Sequence, residues 1–110
     1  MKETQFPGFD ACMRMMRRAS PQLQEDGFHY LLPYAADYVQ QLIAEFNVER
    51  DHGLRCWLLD LIGQSRSPEA FQFLVENLRN DDERFRSLAV EGLRRLNTKE
   101  ARRVLWEVGQ

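Results

Sequence analysis

From residue 34 onward the apolar positions return at helical spacing, block after block. Val39, Leu42, Ile43 and Phe46 share one face of a helix, and Leu54, Trp57, Leu58, Leu61 and Ile62 form the next stripe. Thirty-one residues on, Ala70, Phe73 and Leu74 take up the first stripe again. Phe85, Leu88, Ala89, Leu93 and Leu96 then take up the second, with Gly92 on the same line, and Ala101, Val104, Leu105 and Val108 reopen the cycle. Polar residues travel at the same period: Asp51 with Asp82, Arg55 with Arg86, and Glu45 with Glu76 and Glu107. A fixed period of this length predicts stacked helix pairs and therefore an all-α fold.

The helix starts are marked in register. Ser67 precedes Pro68-Glu69-Ala70 and Thr98 precedes Lys99-Glu100-Ala101, each offering a side-chain oxygen to unpaired amides, with Pro68 at a position where its missing N–H costs nothing. Ser20-Pro21 reads the same way. Short polar turns at 47–51 and 80–83 suit adjacent helices. Upstream the echo fades, but Phe9, Cys12, Met13 and Met16 predict an N-terminal helix, and Phe28, Leu31 and Leu32 a second one ending near Pro33. The expected organisation is one domain, with residues 1–33 as an atypical N-terminal helical cap and 34–110 as repeats. Methionine suits such a cap because it fills irregular gaps.

Composition narrows the function classes. The chain is 44% apolar and 29% charged, with fifteen basic and seventeen acidic residues and a net charge of −2. That balance argues against non-specific nucleic-acid binding, which needs a net basic face. The pairs Arg17-Arg18, Arg94-Arg95 and Arg102-Arg103 are interleaved with acids, and Arg103 stands four residues before Glu107, the spacing of a solvated ion pair. Neither a secretory apolar run nor a membrane-length apolar window occurs, so a cytoplasmic protein with no membrane partner is expected. Cys12 and Cys56 are too few for a disulfide framework and read as free thiols.

Catalytic machinery is sparse. No glycine-rich phosphate loop and no metal-ligand spacing occurs, so no cofactor and no metal are expected. His52 and Cys56, at i and i+4, are the pair in which an imidazole could activate a thiol. An imidazole at an exposed helix start and a cysteine flanking an apolar stripe fit a structural role better, and the chain is not expected to be an enzyme. His29 is expected at the surface or hydrogen-bonded. Tyr30, Tyr34 and Tyr38, with Asp37 among them, offer either a partner-facing cluster or packing against the N-terminal helix. Trp57 lies on the apolar stripe, and Trp106 sits beside it near the end of the array, as a lid or an interface residue.

Residues 49–108 resemble HEAT repeats, on the strength of a polar turn, an aromatic, an arginine and an Ala/Leu-rich helix in Asn80-Asp81-Asp82-Glu83-Arg84-Phe85-Arg86-Ser87-Leu88-Ala89. The resemblance implies a short α-solenoid of about three antiparallel helix pairs. It also implies that Arg55 and Arg86 pair with acids in the turns as a ladder, and that the second helices line a concave side. Glu49 and Asn80 depart from the family pattern at a position commonly aspartate, and a period of 31 is short. On that concave side Asp60 and Gln64 of one unit and Glu91 and Arg95 of the next would form a polar stripe. Together with Tyr34, Asp37 and Tyr38 these are the expected partner-binding residues.

A narrower resemblance is to small, mildly acidic, all-helical bacterial immunity proteins, including those of contact-dependent growth-inhibition systems. It implies a protein partner, namely a toxin domain such as a nuclease. A scaffold or adaptor subunit is the alternative, and a small HEAT-like enzyme or lyase a remoter one. Fold resemblance by itself does not carry function.

Overall fold

The computed structural model describes residues 5–110, and among these it is all helical with no strand. The α-helices are α1 (Phe9–Met16), α2 (Pro21–Leu31), α3 (Val39–Val48), α4 (His52–Gln64), α5 (Phe71–Asn77), α6 (Glu83–Leu96) and α7 (Lys99–Glu107). Two 3₁₀ stretches, Leu32–Tyr38 and Pro68–Ala70, lead into α3 and α5.

Ser20 and Thr98 cap as the sequence predicts, Ser20 accepting from the Leu23 amide at 3.4 Å, while Asp51 and Asp82 add two caps that the sequence reading did not single out. Asp51 accepts from the Leu54 amide at 2.8 Å, Asp82 from Phe85 at 3.1 Å, and Thr98 from Ala101 at 3.1 Å. Ser67 also caps, accepting from Glu69 at 3.2 Å, but the turn it opens is 3₁₀, and α-helix begins only at Phe71. Pro33 likewise stands in the opening turn of a 3₁₀ stretch, so the first repeat helix starts at Val39 rather than just after the proline. Arg66 and Asn97, 31 residues apart, both adopt left-handed backbone with φ of 54° and 53°. The period is thus written into the backbone as well as the side chains.

Contacts run from α2 to α4 to α6, while α3 packs on α4, and α5 and α7 pack on α6. The helix α4 is the most enclosed: Leu58, Leu59, Leu61 and Ile62 are fully buried, which is why this helix is apolar on nearly every side. Each such side chain contributes about 1.5–3 kcal/mol through removal from water. The equivalent positions Val39, Ala70 and Ala101 are at most 1% exposed, so the 31-residue register survives in the packing. Buried Asn77 is satisfied, donating to the Phe73 carbonyl at 2.9 Å and accepting from Asn80 at 3.0 Å.

Glycine sets the closest approach. A Cβ on Gly92 would stand 2.9 Å from the Gly63 Cα, so α4 and α6 touch backbone to backbone there. At their other ends His52 reaches Asp82 and stacks on Phe85, so the two helices run in the same direction. In the N-terminal cap a Cβ on Gly27 would meet the Cys12 carbonyl at 2.7 Å, which presses α2 onto α1. Arg17 at the end of α1 bonds to Glu45 and Glu49 and ties the cap to the end of α3. Phe28 packs edge-on against the half-buried Trp57 at 5.1 Å.

Candidate protein-interaction surface

The Gly63–Gly92 crossing brings the outer edges of α4 and α6 together, and with them three residues of the expected stripe, Asp60, Gln64 and Arg95, while Glu91 turns to Arg94. Gln64 Nε2 donates to Asp60 Oδ1 at 3.1 Å, and Arg95 Nη1 stands 4.0 Å from that same oxygen. One turn back on α6, Arg94 Nη1 donates to Glu91 Oε2 at 3.0 Å. Asp60 and Arg95 keep 32% and 38% of their side chains exposed, so this is a wet ledge and not a buried pair. Such ion pairs contribute only tenths of a kcal/mol to stability. A carboxylate already held by its neighbours has less conformational freedom left to lose in any further contact.

The tyrosines have a different setting. Tyr34 stacks on Phe6 at 4.2 Å between ring centroids, and Tyr38 stacks on Phe9 at 5.1 Å. Spacing of four does not align residues in a 3₁₀ turn, where three residues complete the circle. What gathers the two rings is the chain segment around Phe6, while Tyr30 is half-buried on α2. Tyr34 retains 41% exposure and Asp37 is exposed. Beside Tyr38 lies an open groove of about 510 Å³ lined by Pro7, Phe9, Arg14 and Gln41. Among the described residues no hydrogen bond or ion pair joins this cluster to the Asp60 ledge.

The arginine ladder does not form as the resemblance implies. Arg55 donates from Nε to the Phe46 carbonyl at 3.2 Å, with its guanidinium over the Phe46 ring at 4.1 Å and the Phe85 ring at 4.9 Å. Arg86 donates to the carbonyls of Asn80 and Asp81 at 2.8 and 3.0 Å. The substitutions in the turns explain this: Asn80 carries no charge, and Glu49 is taken by Arg17 and by the amides of Arg50 and Asp51. Arg55 thus ties α4 to the last turn of α3, and Arg86 ties α6 to the turn before it. The expected Arg103–Glu107 pair is also absent among the described ion pairs.

A contact the sequence analysis missed joins α4 to α6. His52 Nε2 meets Asp82 Oδ2 at 2.8 Å, and its Nδ1 lies 3.8 Å from the Cys56 sulfur. A Cys–His–Asp relay has this order. Burial, however, pushes the Cys56 thiol up, with Asp82 adding to it and Arg84 opposing, so thiolate is disfavoured where nucleophilic chemistry needs it. Asp82 is also the cap of α6, and its carboxyl is held below the usual range chiefly by the Phe85 amide and then by His52. The arrangement acts as a staple between repeats. The one available signal was that His52 and Asp82 open consecutive equivalent helices.

No group of three or more His, Cys, Asp and Glu among the described residues is disposed to hold a metal ion, and no described helix is long and apolar enough to cross a membrane. Trp106 is 80% exposed on α7, so its role is not core packing. No protein family, curated protein or solved structure matches the chain.

Proposed function

We propose that the chain is a non-catalytic protein-binding module, a short HEAT-like α-solenoid, and that it works as an immunity protein that binds and neutralises a cognate toxin such as a nuclease. Three periodic features support the solenoid reading: the caps Asp51 and Asp82, the buried series Val39, Ala70 and Ala101, and the left-handed pair Arg66 and Asn97. The observation that carries the binding reading is the ledge at Asp60, where Gln64 and Arg95 from two successive units converge on one half-buried carboxylate. A rigid polar surface with charges already positioned is what stereospecific recognition uses. Neutralisation is then occlusion, with roughly 800 Å² covered on each side and a few anchors dominating the affinity.

The test pairs the chain with the product of the neighbouring toxin-sized reading frame. Wild type should rescue growth and form a complex. Asp60→Arg should weaken that complex at least about tenfold while leaving the melting temperature within a few degrees, because the carboxylate is partly solvated and its present pairs contribute little to stability. Full rescue by Asp60→Arg, Gln64→Ala and Arg95→Glu alike would remove the ledge from the interface. Copurification with housekeeping proteins and no toxin would move the chain to the scaffold or adaptor reading.

A further inference from the structure

On α4, Cys56, Leu59 and Gly63 belong to the side covered by α6: Leu59 is fully buried, Gly63 meets Gly92, and Cys56 lies within reach of Arg84 and Asp82. One period later the same side of α6 carries Ser87, Val90 and Arg94. There it borders an open groove of about 470 Å³, walled by Leu78 and Val108 and reaching to Glu83. The interface that α4 makes with α6 is therefore continued on α6 as an uncovered surface, with Leu59 reduced to Val90 and Gly63 replaced by Arg94.

The charges on that surface specify what fits it. Glu83, Ser87, Val90 and Arg94 follow at intervals of four, three and four, the seam along which two helices pack side by side. Set antiparallel to itself, the seam is self-complementary: the register that places Ser87 opposite Val90 of a second copy also places Glu83 opposite Arg94, and a two-fold axis makes each contact twice. A parallel arrangement would set Glu83 against Glu83 and Arg94 against Arg94. We infer that the protein forms an isologous homodimer in which α6 pairs antiparallel with α6 of a second copy, through Glu83, Ser87, Val90 and Arg94. Arg94 exchanges its Glu91 partner for the second copy's glutamate, at little cost because both side chains of the present pair are about half exposed. A helix of 14 residues, about 21 Å long, gives an interface below standard size, so weak association is expected.

Sedimentation velocity on the full chain from about 1 µM to about 1 mM reads this directly. Wild type should pass from monomer to dimer across that range. Glu83→Arg and Arg94→Glu should each weaken the dimer at least about tenfold by setting like charges together. The double variant should restore it, and so should an equimolar mixture of the two single variants, in which every Arg again meets a Glu. Circular dichroism melts of each variant keep a folding defect from passing as loss of association. A monomer throughout the range overturns the proposal. So does a dimer indifferent to either substitution, or one weakened by both and restored by neither combination, which would leave the groove to a helix of another protein.

Discussion

Arg66 and Asn97 illustrate how one backbone requirement is met by residues of unequal fitness. Both hold left-handed φ, which asparagine tolerates and a long β-methylene side chain does not. Arg66→Asn should therefore stabilise the fold by up to about 1 kcal/mol, read as a rise in the urea midpoint, and a fall would mean that the exposed arginine makes a contact worth more than the strain. Asp82 makes a pH-dependent contribution at the same scale. Its carboxyl is lowered from 3.8 by the Phe85 amide first and by His52 after it. A depressed pKa means that the unfolded chain binds the proton more readily, so the stabilisation is present above the unfolded value and is lost as pH falls through the folded one. The urea midpoint of wild type should drop more between about pH 7 and pH 3 than that of Asp82→Asn. Equal drops would show that the staple carries no proton linkage.

At the scale of elements the decisive pair is α4 with α6. Their contact at Gly63 and Gly92 leaves no room for a methyl group, since a Cβ at 92 would lie 2.9 Å from both a backbone carbon and a Leu74 methyl. Gly92→Ala should cost about 1–3 kcal/mol through overpacking, measured by thermal melt. Gly53→Ala is the control, because its Cβ meets only the Asp51 carboxylate at 3.4 Å in the exposed first turn of α4. If the two variants melt alike, the backbone contact is looser than described. The sequence shows Gly92 on an apolar stripe but not its partner, because Gly63 stands 29 residues away and outside the 31-residue register. Helix crossings are set by where two cylinders approach, and that point need not fall on equivalent residues.

For the whole molecule, the described residues span 46 × 30 × 20 Å, a slab in which α4 is mostly enclosed while α6 and α7 each keep an exposed side. Should the partner be a basic nuclease domain, Asp37, Asp60 and Glu91 would speed encounter by steering. The association rate should then fall several-fold from low to physiological salt, with dissociation little changed. A rate constant flat with salt would mean that these carboxylates do not face the partner. The open surfaces differ in character: the Asp60 ledge is polar and pre-paired, the α6 groove is a half-apolar seam, and α7 carries an exposed Trp106 beside cations.

Periodicity determined that the chain is helical and marked most of its core, because burial of an apolar stripe is enforced at every turn; Val108, on the same stripe at the end of the array, is instead 49% exposed, and it was the capping residues that marked helix starts. The resemblance, and not periodicity, put Asp60, Gln64, Glu91 and Arg95 on one stripe, and of these Asp60, Gln64 and Arg95 come together while Glu91 pairs with Arg94. Tertiary structure decided the rest. Arg55 bonds to a carbonyl because Glu49 is claimed by Arg17, 32 residues away, and the tyrosines pack because Phe6 and Phe9 stack on them. Competition among neighbours for one carboxylate, or one ring face, depends on distances in space. Spacing along a chain holds no record of them.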